Sequence, residues 1–512
     1  MKKTVIPSVT DLLNAGAEKY GESPFIKYFC DGNIIEKSFN QLRNDSRCVC
    51  RMIRNSADKK IKIAVIGKTS YEYLVFSTGV LISGNVLVPF SPEISVSEAL
   101  DLFERADIEM LLYEEEFSEN AKAIKDACTK LGMMCSFERA EDIYCTFSEE
   151  SDCSSLADFK TDGSECAIII YTSGTTGVKK GVMLSMDALV GNVMYREYCT
   201  DIFTEGVVAL SVLPMHHTFC FSGDYLKNLK DGLQVCLNGD FRNIAENLLR
   251  YQPAVIRIVP MVAQSLLAKV KMILKRNPSF TPREAAEEVF GKNIRWLISG
   301  GAYLNPELTE EYEKLGIFLR QGYGMTEAGC RISVPDEEVS RESVGRVIDI
   351  CDIRIQNGEI QVKTPTVMMG YYKMPEETKE MFTSDGWLKT GDIGYVTEDG
   401  QLFITGRVKN LIILSSGENV SPEAIEKKFG ATELVEEVLV FGENNRIVAE
   451  IYPDFEYAKA NGITDIYAEL ERIVDSMNKT AKASHIISKV RIRNAPFEKT
   501  GPGKIKRYET KI

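Results

Sequence analysis

Between Tyr171 and Ser185 the chain reads Tyr171-Thr-Ser-Gly-Thr-Thr-Gly-Val-Lys-Lys-Gly-Val-Met-Leu-Ser185. Gly174, Gly177 and Gly181 let the backbone bend and approach a ligand. Thr172, Ser173, Thr175 and Thr176 offer hydroxyls, and Lys180 offers a cation. This inventory suits a polyphosphate. No register fits the G-x-x-x-x-G-K-[ST] phosphate loop, so a P-loop NTPase is not implied. The bland alternative is a surface loop that Gly, Ser and Thr merely make flexible.

Few other residue types are placed for chemistry by spacing alone. The chain has three histidines, His216, His217 and His485, and its 13 cysteines include no C-x-x-C pair, so no zinc-type cluster assembles. A metal, if used, is expected to be a hard ion held by oxygen, and the cysteines to be reduced and mostly buried. A net charge of -13 argues against a general nucleic-acid surface. The acid excess lies before Val408. From there on 16 Lys and Arg balance 16 Asp and Glu, and Lys489 to Ile512 holds eight basic residues against two acidic. A basic tail on an acidic chain fits an anionic ligand or partner as well as it fits a solvated end. No run of about 18 apolar residues occurs, and Met1-Lys-Lys-Thr-Val-Ile-Pro7 lacks a signal peptide's apolar core. A cytoplasmic enzyme is the expectation.

These residues need elements to position them, and 512 residues, 44% of them hydrophobic, can bury more than one core. The apolar run Ala167 to Ile170 predicts a buried strand before the loop, and Met186 to Tyr198 a helix after it. Strands are expected over Lys62 to Gly67, Val86 to Phe90, Met110 to Tyr113, Val207 to Leu213, Leu233 to Leu237, Ala254 to Val259, Ile294 to Ser299 and Ile317 to Arg320. Helical stretches at Tyr71 to Gly84, Val96 to Ala106, Phe221 to Lys230 and Ile244 to Tyr251 alternate with them. That rhythm is α/β: mainly parallel sheets covered by helices.

From about 344 to 408 the pattern changes to alternation with turn signals, Asn357-Gly358 and Asp399-Gly400, which predicts an antiparallel β portion. Helices at Pro422 to Phe429 and Ile466 to Lys482, with strands near Val438 and Val490, predict a small α+β domain. The expected division is 1–408 for the large domain and 409–512 for the small mobile one, with Lys409 at the hinge.

Seven segments then stand in a familiar order. They are Tyr171 to Gly181, Pro214-Met-His-His-Thr-Phe219, Gln321-Gly-Tyr-Gly-Met-Thr-Glu327, Thr390-Gly-Asp392, Gly406-Arg-Val-Lys409, Ser416-Gly-Glu-Asn-Val-Ser-Pro422 and Thr500-Gly-Pro-Gly-Lys-Ile-Lys-Arg507. Together, over nearly the whole chain, they resemble the acyl-adenylate-forming superfamily of acyl-CoA synthetases, adenylation domains and luciferases. The resemblance implies that a carboxylate attacks the α-phosphate of ATP, giving acyl-AMP and pyrophosphate, and that a thiol then takes the acyl group.

It also implies roles. Thr172 to Gly177 and Lys180 would cradle the β- and γ-phosphates. Lys179 stands where the family usually has Pro and would add charge there. Tyr323 would stack on adenine, Thr326 touch the α-phosphate, and Glu327 hold Mg²⁺. Gly301 and Ala302 would lie beside the nucleotide, Asp392 would accept from the ribose hydroxyls, and Arg407 would also reach the nucleotide. Lys504 would bring a cation to the carboxylate and α-phosphate during adenylation, then leave as the small domain swings about Lys409. Asn410 replaces the acidic residue often found after that hinge. His217 matches the histidine of Pro-x-x-His, near the entering carboxylate or the thiol tunnel; His216 is the weaker candidate.

Phe219 takes the place of an Asp found in amino-acid-activating domains, which disfavours an α-amino acid. The acyl pocket would draw on Phe219 to Gly223, Ile256 to Met261 and Gly300 to Tyr303, an apolar set that implies a fatty or other hydrophobic acid. The run Phe290 to Ala302 is similar to medium- and long-chain members. Arg257 interrupts its strand and is expected on the outer face of the sheet; facing the pocket, it would bind a second carboxylate or a polar head. The acceptor is expected to be coenzyme A, with an acyl or peptidyl carrier protein as the alternative. A different class, a nucleotide- or acyl-binding protein without turnover, would not need Lys504, Glu327, Asp392 and Arg407 together.

Overall fold

The structure, a computed structural model, describes residues 8–148, 162–173, 178–195, 202–414, 419–482, 485–499, 505 and 507. Two seven-stranded sheets form the large part of the chain. In one, the spatial order is Phe318–Gln321, Trp296–Ser299, Val255–Ile258, Val208–Ser211, Gln234–Leu237, Pro24–Cys30 and Asn33–Ser38. All neighbours run parallel except the last pair, a hairpin turning at Asp31-Gly32 with φ of 48° and 83°. The other runs Gly370–Tyr371, Lys179–Ser185, Cys166–Ser173, Val86–Phe90, Lys62–Ile66, Ile108–Tyr113 and Met133–Ser136. Its strands are parallel from Cys166–Ser173 onward.

The parallel strands read as unbroken apolar runs because both faces are covered. Ile256, Ile258 and Leu297 belong to the large core that also takes Ile63, Val65, Ile168 and Ile170 from the other sheet. Val255, Trp296 and Ile298 point the opposite way, into a smaller core with Phe203. As the alternation of elements predicts, this portion is α/β.

One expectation is corrected at the opening motif. The chain does not pass from strand through a loop to a helix: Lys179–Ser185 is itself a strand, antiparallel to Cys166–Ser173, with Tyr171 opposite Gly181 and Thr172 opposite Lys180. The helix that follows is Met186–Gly191, capped by Ser185 Oγ, and is shorter than the predicted Met186 to Tyr198. The antiparallel portion agrees with the turn signals. Asp352–Gln356, Glu359–Lys363, Leu388–Val396 and Leu402–Arg407 form a four-stranded sheet, and Asn357-Gly358 turns with φ of 53° and 82°.

Beyond it, Val435–Glu443, Arg446–Pro453 and Ile487–Ile492 form a sheet packed on Ile466–Asn478. The sequence reading lacks the middle strand, which the Asn444-Asn445 turn creates. Its core, from Ile412 to Val490, is separate from the others. It touches the preceding part through Ser421 Oγ, donating to the Thr405 carbonyl at 2.7 Å, and Lys427 Nζ, donating to the Ile404 carbonyl at 3.0 Å. Among the described residues no helix is long and apolar enough to cross a membrane. Eleven described cysteines are free thiols, most of them buried.

Candidate active site

The expected site residues gather where parallel strands end. Ser299 is followed by Gly300 and Gly301, Gln321 by Gly322 and Tyr323, the carboxyl ends at which open α/β sheets bind ligands. Gly301 has a φ of 76°, a conformation that excludes most side chains. Gln321 Nε2 donates to the Ala302 carbonyl at 2.8 Å, tying the two strand ends together.

From the glycine-rich segment, Thr172 and Lys180 face each other across the hairpin, and Thr172 Oγ1 reaches the Lys180 carbonyl at 3.5 Å. Ser173 is described by its backbone alone. Gly174, Thr175, Thr176 and Gly177 lie outside the described residues, as does Lys504. Lys180 Nζ sits over the Tyr371 ring, 4.8 Å from its centroid, and the Tyr371 hydroxyl donates to Glu327 Oε1 at 2.8 Å. Lys179 Nζ pairs with Glu98, and Arg105 Nη2 donates to the Lys179 carbonyl at 2.7 Å.

Thr326 and Glu327 occupy a 3₁₀ turn between Tyr323–Met325 and Cys330–Val334. Only glycine fits at 324, since a Cβ would lie 1.7 Å from the Cys330 carbonyl oxygen. Thr218 Oγ1 donates to Thr326 Oγ1 at 3.3 Å and opens a helix immediately after His217. The His216 and His217 rings are 4.3 Å apart. Burial, the neighbouring imidazole and the Lys179 cation push His216 down to about 3. Crowding by surrounding protein atoms and the Lys179 cation lower His217 as well, although its side chain still meets solvent. Both imidazoles are therefore neutral near pH 7.

A second cluster stands beside Tyr323. Its hydroxyl donates to Asp392 Oδ2 at 2.6 Å, and Arg407 Nε lies 2.8 Å from Asp392 Oδ1. Burial and that carboxylate push the Tyr323 phenol well up. The side chain of Asp392 is 6% exposed and that of Arg407 52%. Asp392 and Arg407 are register partners on adjacent antiparallel strands, which fixes their approach.

Arg257 alternates with Ile256 and Ile258, so it lies on the face it shares with Val255, where it stands over the Phe203 ring and is paired: Nη1 lies 2.8 Å from Asp224 Oδ1, with the two side chains 3% and 1% exposed. Sequence reasoning missed Tyr371, the link between Lys180 and Glu327, and Thr218, the link between His217 and Thr326. No local signal marks Tyr371. Thr218 lies inside the Pro214 to Phe219 motif, but its spacing gives no sign of a partner at Thr326.

The structure thus joins Lys180, Tyr371 and Glu327 by one set of contacts and Thr326 with Thr218 by another, the two meeting at the Thr326-Glu327 peptide, with His217 next to Thr218 in sequence; Tyr323, Asp392 and Arg407 form a third set. Among the described residues no group of three or more His, Cys, Asp or Glu is placed to hold a metal ion. Glu327 is a single hard carboxylate. That suits Mg²⁺, which keeps waters and is usually held by one or two carboxylates together with substrate phosphates.

Comparison with known proteins gives a consistent picture. The family described as AMP-binding enzyme matches residues 13–372, and the family described as AMP-binding enzyme C-terminal domain matches residues 409–511. Long chain acyl-CoA synthetase 1 of Arabidopsis thaliana is 29% identical over 401 residues, 64% of this chain and 60% of that protein. This chain therefore spans about three fifths of the plant protein's length. Long-chain-fatty-acid–CoA ligase FadD15 of Mycobacterium tuberculosis is 26% identical over 507 residues, 86% of this chain and 84% of that protein. Among solved structures, the anthranilate CoA ligase AuaEII in complex with anthranoyl-AMP superposes with a TM-score of 0.80 at 16% identity, covering 99% of this chain and 96% of the other. ATP-bound MatB from Rhodopseudomonas palustris gives 0.79 at 23% identity, with 98% and 97% covered. These two structures share the fold.

Proposed function

The chain belongs to the AMP-binding enzyme family, and on that premise we propose that it is an ATP-dependent acid–thiol ligase that makes acyl-CoA through acyl-AMP. The observation that carries this reading is the placing of Lys180 over Tyr371, which bonds Glu327, and of Thr218 against the adjacent Thr326, next to His217, with Asp392 and Arg407 beside Tyr323.

In the first half-reaction a carboxylate oxygen of the acid bonds to the α-phosphorus, and the bond from that phosphorus to pyrophosphate breaks. Lys180 and the Thr172 to Gly177 segment hold the departing phosphates, a preorganised cradle for negative charge. Tyr323 supports the adenine. Asp392, already fixed by Tyr323 and Arg407, accepts from the ribose hydroxyls. Glu327 would hold Mg²⁺, which when bound would neutralise charge on the phosphates. Lys504 completes the site from the small domain, which pivots at Lys409.

In the second half-reaction the sulfur of coenzyme A bonds to the acyl carbon and AMP leaves. The neutral imidazole of His217 is in the state that accepts a proton from the entering thiol. The names of the relatives make a fatty acid the first substrate to test.

Acid-dependent exchange of labelled pyrophosphate into ATP tests this reading. Exchange is expected with at least one carboxylic acid; ATP binding without exchange for any acid would leave only a binding protein. Presenting the best acid's adenylate to coenzyme A and to a carrier protein identifies the acceptor. Lys504→Ala is expected to cripple adenylation far more than thioester formation from preformed acyl-AMP. Equal loss in both would contradict the pivot.

A further inference from the structure

Lys180 and Glu327 carry opposite charges, each half-buried and reaching solvent, and among the described residues neither makes an ion pair. One neutral side chain stands between them. Tyr371 is 5% exposed; Lys180 Nζ lies over its ring, 4.8 Å from the centroid, and its hydroxyl donates to Glu327 Oε1 at 2.8 Å. The ring face attracts the ammonium and the hydroxyl meets the carboxylate, so each charge is satisfied without cancelling the other. Without the phenol, the flexible four-carbon stem of a lysine lets its ammonium turn to the carboxylate.

The backbone ties Tyr371 to both of its partners. Gly370–Tyr371 pairs antiparallel with Lys179–Ser185, Tyr371 opposite Val182. Tyr372 N donates to the Gly181 carbonyl at 2.8 Å, beside Lys180, and Met368 N donates to the carbonyl of Glu327 itself at 2.8 Å. Tyr371 N donates to Thr378 Oγ1 at 2.8 Å, and the Tyr372 hydroxyl donates to Asp107 Oδ2 at 2.8 Å. Lys373 and Lys130 hold Asp107 in turn, at 2.6 and 2.8 Å. At Gly370 φ is 136° and a Cβ would lie 2.8 Å from Thr378 Cγ2, so only glycine delivers the ring in this way.

We propose that Tyr371 is a positioning residue, a separator that keeps the Lys180 ammonium and the Glu327 carboxylate from neutralising each other. The ammonium then stays available to phosphate, and the carboxylate, fixed through one oxygen, keeps the other for a divalent cation. The inference rests on the ligase reading for the roles of Lys180 and Glu327, and adds the residue that lets both charges persist side by side. Hydrogen-bond partners of a ligating carboxylate commonly carry roughly ten- to a hundredfold in metal affinity.

The test titrates ATP calorimetrically into the full chain, first in EDTA and then over a range of Mg²⁺. Tyr371→Phe keeps the ring and removes the hydroxyl. Its metal-free ATP affinity is expected to stay within about twofold of wild type, while the Mg²⁺ concentration for half-maximal tightening rises roughly tenfold or more. Tyr371→Leu removes the ring as well, and metal-free ATP binding is expected to weaken about fivefold as Lys180 turns to Glu327. Adding Glu327→Gln to Tyr371→Leu removes the carboxylate that captures the lysine and is expected to restore metal-free affinity, a recovery that a merely structural defect would not show. An unchanged Mg²⁺ requirement in Tyr371→Phe would overturn the proposal, as would wild-type metal-free affinity in a folded Tyr371→Leu or no recovery in the double variant. Should Tyr371→Leu not fold, the Phe variant, which keeps the shape of the ring, decides alone. In pyrophosphate exchange, Tyr371→Phe is expected to regain wild-type kcat at high Mg²⁺. Exchange with no acid alongside the expected binding shifts removes the ligase reading and leaves the separator in place.

Discussion

Asp392 and Asp224 each hold an arginine nitrogen at 2.8 Å, yet the two pairs are built for different ends. Arg407 is 52% exposed, on the strand beside Asp392, and Tyr323 takes the second carboxylate oxygen. Water competes for that guanidinium, so the pair is weak and can rearrange. Arg257 and Asp224 are 3% and 1% exposed, and burial pushes the Asp224 carboxyl up against the opposing pull of the arginines. With no water to replace either partner, that pair behaves as a fixed wall. One motif of two charges thus gives an adjustable, solvent-facing pair at Asp392 and a rigid, buried one at Asp224.

The contrast breaks most readily at the buried pair. Asp224→Ala leaves the Arg257 charge buried and uncompensated, and about 3–5 kcal/mol of stability is expected to be lost in denaturant unfolding. A loss below about 1 kcal/mol would show that water reaches the wall. At the open pair the main effect is on binding: Asp392→Ala is expected to weaken ATP by about 1.5–3 kcal/mol, roughly ten- to a hundredfold, as charge-assisted bonds to the ribose disappear. Isothermal titration with ATP checks this, and unchanged affinity would remove Asp392 from the nucleotide site.

The histidines repeat the contrast at smaller scale. His216 is held near 3 in the fold against an ordinary 6.5, so the folded chain keeps it neutral while the unfolded chain takes up a proton. Its contribution is complete above about 6.5 and falls as pH drops toward 3, by at most about 1.4 kcal/mol per pH unit. His216→Gln is expected to flatten that acid limb of the stability profile; an unaltered limb would mean the imidazole charges freely in the fold. Smallest of all, Arg407→Ala is expected to change unfolding stability by about 0–1 kcal/mol, since exposed ion pairs contribute little. A larger loss would make the open pair structural.

Much of this architecture is readable in the sequence for physical reasons. Strands such as Val86–Phe90 are covered on both faces and therefore appear as unbroken apolar runs, and Ile244–Tyr251 shows its amphipathic face directly. Asn357-Gly358 marks its hairpin because few other residues tolerate both positive φ values. Asp31-Gly32 carries the same kind of signal and was overlooked, and with it the hairpin that extends the first sheet. Lys179–Ser185 hid as a strand because its two lysines and a glycine break the apolar run, and its pairing with Cys166–Ser173 is a tertiary matter.

The site divides in the same way. Tyr323, Glu327, Asp392 and Arg407 are legible as ordered motifs, but the links from Glu327 to Lys180 and from Thr326 to the His217 segment pass through Tyr371 and Thr218, whose partners are distant in sequence. Arg257 was visible as an anomaly. Its partner was not, since Asp224 is 33 residues away in sequence and only packing brings the two together.

The most direct measurement of the acyl-adenylate route uses the acid labelled with ¹⁸O in its carboxylate, turned over with ATP and coenzyme A. Attack of a carboxylate oxygen on the α-phosphorus, followed by thiol attack on the acyl carbon, leaves that oxygen on the nucleotide. The expected result is AMP carrying one labelled oxygen, with none in pyrophosphate. Label in inorganic phosphate or pyrophosphate, or unlabelled AMP alongside thioester, would contradict it.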